Sequence, residues 1–137
     1  MGDEKRIERL NSGSVIESYW REGVLYRADG GPTVVNRSVT GAVVEEWVCG
    51  SDQRQYLHRE GGPAYIEYRA NGTVIEAYWH NGRRHRDDGP AYIVRESSRF
   101  DVGLREYWHH GVRINPPSRS TEPPATPSEQ VARGPMR

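Results

Sequence analysis

The sequence predicts an all-β fold, an elongated, twisted antiparallel sheet of stacked β-hairpin repeats, and three observations predict it. Four glycines, Gly13, Gly41, Gly72 and Gly103, each open a similar phrase and stand 28, 31 and 31 residues apart, and periods of that length mark repeat architectures. Short β-rich runs alternate with Gly, Asn, Asp and Pro punctuation, the pattern of hairpins rather than helices. The apolar inventory is thin but aromatic: hydrophobic residues make up 34% of the 137, with four Trp and eight Tyr against one Phe, and mean hydropathy is −0.88. A thin sheet packed by amphipathic rings, their polar tips at water, suits that inventory better than a conventional two-layer core.

The elements follow in chain order. Ile7-Glu-Arg-Leu-Asn-Ser-Gly13 matches Ile66-Glu-Tyr-Arg-Ala-Asn-Gly72, so the array starts with a half unit. Gly13-Ser-Val-Ile-Glu-Ser-Tyr-Trp20 opens the first full unit and leads to Tyr26-Arg27-Ala-Asp-Gly-Gly-Pro32. Gly41-Ala-Val-Val-Glu-Glu-Trp47 opens the second, which carries an insertion at Gly50-Ser-Asp-Gln-Arg-Gln55 and runs to His58-Arg59-Glu-Gly-Gly-Pro63. Gly72-Thr-Val-Ile-Glu-Ala-Tyr-Trp79 opens the third, followed by His-Asn-Gly82 and His85-Arg86-Asp-Asp-Gly-Pro90. Gly103-Leu-Arg-Glu-Tyr-Trp108 opens a fourth that ends at His-His-Gly111. Within a unit, Ala64–Arg69 and Thr73–Trp79 read as strands joined at Asn71-Gly72, the strongest short hairpin signal. Asn81-Gly82 marks a second turn, and Asp88-Gly89-Pro90 a third, in which Pro fixes the entry to the next strand. One hairpin of this kind is unstable alone, so neighbours must stack.

Residues 1–115 thus form one repeat domain. Beyond Asn115 six prolines stand among Ser, Thr, Glu and Ala. Residues 116–137 are read as a disordered, Pro-rich tail, because so little apolar surface cannot offset the entropy of ordering.

The phrase G-x-x-x-E-x-Y-W-x-N-G-x-x-H-R-x-D-G-P-A resembles the variant MORN-type repeats of bacterial, phage and large-virus proteins over roughly residues 4–115. The resemblance implies a twisted sheet of successive hairpins with a shallow groove, serving as a scaffold or a protein-binding module. It also suggests a small phage or mobile-element protein that binds and blocks a host defence factor. The chain departs from the pattern in three places. The second unit lacks a Tyr before Trp47, the first has Tyr26 in place of His58 and His85, and the fourth lacks the His-Arg-Asp-Gly-Pro phrase, as a terminal cap does.

The residues that carry chemistry are weighed against their place in the repeat. Trp20, Trp47, Trp79 and Trp108 recur once per unit and read as structural packing; only one left uncovered at an end of the array is free to anchor a partner, and Trp108, in the terminal unit, is the best candidate. Arg27, Arg59 and Arg86 each precede an acid and the Gly-Pro turn of Pro32, Pro63 and Pro90, and read as braces paired with Asp29, Glu60 and Asp87. Glu17, Glu45 and Glu76, with Glu106 near the equivalent place, read as a salt-bridge ladder rather than an acid/base pair. His80, His109 and His110 can approach His85, but without a spaced motif they predict no metal site. No cofactor and no catalytic residue is predicted, since no nucleophile, base and orienter come together.

Nineteen basic and nineteen acidic residues cancel, and 18 of the 19 cations are Arg. A zero balance gives no overall attraction to nucleic acid or to an anionic membrane. The chain carries no apolar signal-peptide core and no span of apolar residues, and with one cysteine, Cys49, it forms no intrachain disulfide. The expectation is a cytoplasmic, non-catalytic module that binds another protein. Tyr107, Trp108, His109 and His110 with Arg83, Arg84 and Arg86 are its candidate contacts. Homodimerisation by edge or end-to-end stacking is open to it. Nucleic-acid binding through an Arg/Tyr/Trp face ranks second, and peripheral membrane or phosphoinositide binding last.

Overall fold

The computed structural model describes residues 2–96 and 102–116. The Pro-rich segment read as a tail lies, apart from Pro116, outside the described residues. The described residues form fourteen strands and no helix: β1 (Asp3–Arg9), β2 (Val15–Arg21), β3 (Val24–Leu25), β4 (Val34–Arg37), β5 (Val43–Glu46), β6 (Val48–Gly50), β7 (Gln55–Leu57), β8 (Tyr65–Tyr68), β9 (Val74–Ala77), β10 (Trp79–His80), β11 (Arg83–Arg84), β12 (Tyr92–Arg95), β13 (Val102–His109) and β14 (Val112–Ile114). Among the described residues no helix is long and apolar enough to cross a membrane.

The long strands join one open antiparallel sheet in the order β1-β2-β4-β5-β8-β9-β12-β13-β14, with β3 also paired to β2, while β6-β7 and β10-β11 form two short ribbons. The hairpin repeat expected from the sequence is therefore present, and each unit holds two hairpins. The first hairpin widens the sheet. Its turns are alike: Leu10, Ser38 and Arg69 donate from their amides to the carbonyls of Ser14, Ala42 and Thr73, closing three-residue loops. Gly13, Gly41 and Gly72 take φ of 96°, 95° and 93° at the end of each loop, the left-handed position such turns require. At Asn71-Gly72 only the glycine is left-handed, so the turn differs from the two-residue type read from the sequence. The two-residue type closes the second hairpins, where Glu22-Gly23, Asn81-Gly82 and His110-Gly111 all have positive φ.

Paired residues share a sheet face, so the register sorts every side chain. One face carries a row Ile7, Glu17, Val35, Glu45, Ile66, Glu76, Ile93, Arg105, in which aliphatic and ionic residues alternate strand by strand. The next row on that face offers Arg37, Tyr68 and Arg95, which reach diagonally to Glu17 (2.9 Å), Glu45 (3.4 Å) and Glu76 (3.4 Å). The hydrogen bond and charge of Arg37, assisted by Lys5, hold the Glu17 carboxyl below its ordinary range. Glu106 stands outside this ladder. It pairs with Tyr92 and lies on the opposite face, because a register shift at Val94/Arg95 places Arg105 in the glutamate row. The same shift makes Gly103 a strand residue instead of a hairpin glycine.

The second hairpins cover the other face. Trp20, Leu25 and Val48 are buried together, with Val34 and Leu57 packed against them. The tryptophans thus do not form the single column expected. Trp47 accepts His58 N–H at its carbonyl and donates to Ala64 O, as Tyr78 does with His85 and Ala91. Trp47 therefore occupies the Tyr19/Tyr78 row, and Val48 takes the position of Trp20 and Trp79.

Candidate cleft and C-terminal face

The Arg column is built the same way in three units. The guanidinium carbons of Arg27, Arg59 and Arg86 lie 4.2, 3.8 and 4.0 Å from the ring centroids of Tyr19, Trp47 and Tyr78. Each also donates from Nη1 to the carbonyl of the turn proline, Pro32, Pro63 or Pro90, at 3.0, 3.0 and 3.1 Å. A planar cation that stacks and donates at once is a task for Arg and not Lys. The acid partner is the expected one for Arg27, whereas Glu60, read as the partner of Arg59, meets His58. Arg27 pairs with Asp29 (2.9 Å), but Arg86 pairs with Asp88 (3.2 Å), two residues on, and Asp87 takes His85 instead.

The histidines form a line. Ring centroids are 4.6 Å apart for His58 and His80, 6.1 Å for His80 and His85, 5.2 Å for His85 and His109, and 4.2 Å for His85 and His110. Two of them join units. His58 Nδ1 accepts the Asn81 amide and His85 Nδ1 accepts the His110 amide, both at 2.9 Å. The adjacent turn glycines complete the joint, Gly82 donating to Leu57 O and Gly111 to Arg84 O. At their far nitrogens, His58 Nε2 meets Glu60 and His85 Nε2 meets Asp87, each at 3.0 Å. A neutral imidazole that accepts at Nδ1 carries its proton at Nε2, so both rings are fixed as donors to a carboxylate.

This geometry bears on a metal. His58, Glu60 and His80 place one ligand atom each within 4.8 Å of one another. A ligating histidine donates its other ring N–H to an acceptor, whereas His58 Nδ1 faces the Asn81 N–H. The cluster is arranged for hydrogen bonding between carboxylate and imidazole, and the donor set does not suit an ion at His58 Nε2.

Around the line runs an open cleft of about 570 Å³, lined by both signs of charge: Arg59, Glu60, His80, His85, Arg86 and Asp87 are among its walls. On the other side of the second hairpins, a smaller groove of about 290 Å³ lies over the sheet, between Tyr65, Tyr92, Trp79 and Arg84. Burial raises the pKa of Glu46, which lines it, and burial with the Glu67 hydrogen bond raises that of Tyr65.

Several candidate contact residues come together at the C-terminal end. The Arg84 guanidinium sits 5.1, 4.7 and 5.1 Å from the rings of Trp79, Tyr92 and Trp108, its Nε buried without a partner. Trp108 donates to Glu106 (3.1 Å), and Arg83 lies beside Gly111. His109 and His110 meet His85. Arg86 is committed to Tyr78 and Pro90, and Tyr107 lies on the opposite sheet face from Glu106. Sequence reasoning missed Arg105, and it gave Glu60 to Arg59 instead of His58. Counting seven residues on from Gly13, Gly41 and Gly72 reaches Trp20, Val48 and Trp79, and three back from Trp79 and Trp108 reaches Glu76 and Arg105, a count that reveals both the Trp47 offset and the glutamate row's break. No family model matches the chain, and neither a curated protein nor a solved structure matches it significantly.

Proposed function

We propose that the chain is a non-catalytic protein-interaction module of the MORN-like type, and the observation that carries this reading is the mixed-sign, aromatic-flanked cleft along the histidine line. Its walls offer carboxylates at Glu60 and Asp87 beside the His80 imidazole. A polypeptide presents both donors and acceptors, and such a surface suits it better than a polyanion does. Arg59 and Arg86 are engaged by ring faces and proline carbonyls, which leaves them less able to neutralise phosphates. A binding role rather than a catalytic one is supported by His58 and His85, whose Nδ1 lone pairs are occupied by backbone amides, so that neither ring offers a free base.

The test is affinity capture from cell lysate with the tagged full chain, with and without nuclease, read by mass spectrometry. A stoichiometric protein partner that survives nuclease, and is lost in a Glu60→Lys/Asp87→Lys variant with unchanged circular dichroism, is the expected result. Recovery that collapses on nuclease treatment gives the surface to nucleic acid and overturns the reading.

A further inference from the structure

Among the described residues the array ends on an open strand edge. Over residues 102–106, β13 pairs with β12 on one side, and β14 pairs only with residues 107–109. In the units before it, the corresponding edge is filled by the first strand of the next unit: β4 on β2, β8 on β5, β12 on β9. Those three fillings serve as a template for what fits. Opposite Tyr19, Trp47 and Tyr78, whose amides donate to Thr33, Ala64 and Ala91, stands a small residue. Opposite Glu17, Glu45 and Glu76 stands an aliphatic one: Val35, Ile66 or Ile93. Two residues further on, Arg37, Tyr68 or Arg95 reaches back to the glutamate.

At the last edge the chemistry is inverted. Tyr107 is already paired with Ile114 of β14, and the glutamate position holds Arg105, which has no carboxylate partner among the described residues. Leu104, on the other face, is 44% exposed. We infer that this edge receives an extended segment of another protein, running antiparallel to β13 over residues 102–106, with an aliphatic residue opposite Arg105, an apolar one opposite Leu104 and an acid diagonal to Arg105. Strand addition supplies main-chain hydrogen bonds, and the alternate side chains supply selectivity. A second copy of this chain fits poorly. Its β1, with Ile7 in the aliphatic position, would bring Arg9 to the diagonal facing Arg105 and Glu8 against Leu104. The opposite edge, Asp3–Arg9, is itself blunted by charge. The inference rests on the interaction-module reading and adds to it the kind of segment recognised.

The test titrates isotope-labelled full-length protein with a blocked peptide, Gly-Pro-Ala-Tyr-Ile-Val-Asp-Glu, which copies residues 89–96 with Asp in place of Arg95, and with the unaltered copy. The expected result is amide shifts at Gly103 and Arg105, with the Asp peptide binding about five-fold tighter, the scale of an exposed cross-strand charge pair. Arg105→Glu reverses the preference. Absence of shifts at the edge, or a preference unchanged in Arg105→Glu, overturns the inference. Concentration-dependent dimerisation that Arg105→Pro abolishes gives the edge to a second copy and likewise overturns it. Where Arg105→Pro does not fold, the charge variant decides alone. A lysate partner captured equally by the unaltered protein and by Arg105→Glu keeps the module reading and removes the edge from it. Loss of every protein partner defeats the reading itself, while the titration still decides the edge.

Discussion

At the scale of single residues, the strongest repeated device is the arginine that stacks on a ring and donates to a proline carbonyl. A charge-assisted hydrogen bond contributes about 1.5–3 kcal/mol and an exposed cation–π contact about 0.5–1 kcal/mol. Removing Arg86 by Arg86→Ala is expected to cost about 2 kcal/mol in urea unfolding, with Arg86→Lys recovering under half, since an ammonium lacks the planar fork. Gly89 gives an independent check. A Cβ there would stand 3.0 Å from the Arg86 Cζ, so Gly89→Ala destabilises the native protein but costs much less in the Arg86→Ala background. Equal costs in both backgrounds would show that the close contact plays no part. The sequence showed the Arg column and its Pro turn plainly. It did not show which acid pairs with Arg86, because adjacent Asp87 and Asp88 differ only in the direction their side chains leave the turn.

At the scale of elements, the second hairpin is closed by a two-residue turn that demands left-handed φ at both positions. Asn81 meets this demand with a residue that tolerates it, whereas Glu22, at φ 51°, does not. Glu22→Asn is therefore expected to stabilise the protein by about 0.5–1 kcal/mol, seen as a raised urea midpoint at unchanged slope; no change would mean that other contacts already fix the turn. The strand pairs and glycine turns were legible because period-two alternation and Asn-Gly are local signals. The second layer was less so. Its ribbons are two or three residues long, too short for any alternation, and only the turn dipeptides announce them. The Trp47 offset escaped because the eye aligns like residues, whereas the backbone aligns hydrogen bonds.

At the scale of the whole molecule, the units differ in how well they fill the space between sheet and second layer. The positions paired with Trp20, Val48, Trp79 and Trp108 are Leu25, Leu57, Arg84 and Arg113. Leu25 is buried, whereas the Arg113 side chain is 62% exposed. In a repeat array each unit is stabilised mainly by its neighbours, so protection should decline toward the C-terminal end. Hydrogen exchange is expected to find the amides of β13 and β14 opening at lower free energy than those of β4, β5 and β8; uniform protection would mean the array unfolds as one block.

Two joints between second hairpins, from the second unit to the third and from the third to the fourth, are built alike. At each, the later unit's turn donates two amides, Asn81 and Gly82 or His110 and Gly111, to His58 and Leu57 or His85 and Arg84 of the earlier unit, whose Arg59 or Arg86 amide donates in return to the Trp79 or Trp108 carbonyl. The earlier unit's half of the joint stands on strands that precede it in the chain; the later turn gains its partners only by landing on that half. On a ribosome, where the N-terminal part emerges first, each unit is thus a finished template before its client arrives. The chain can be laid down vectorially, like courses of brick, with no unit having to wait for the one above it.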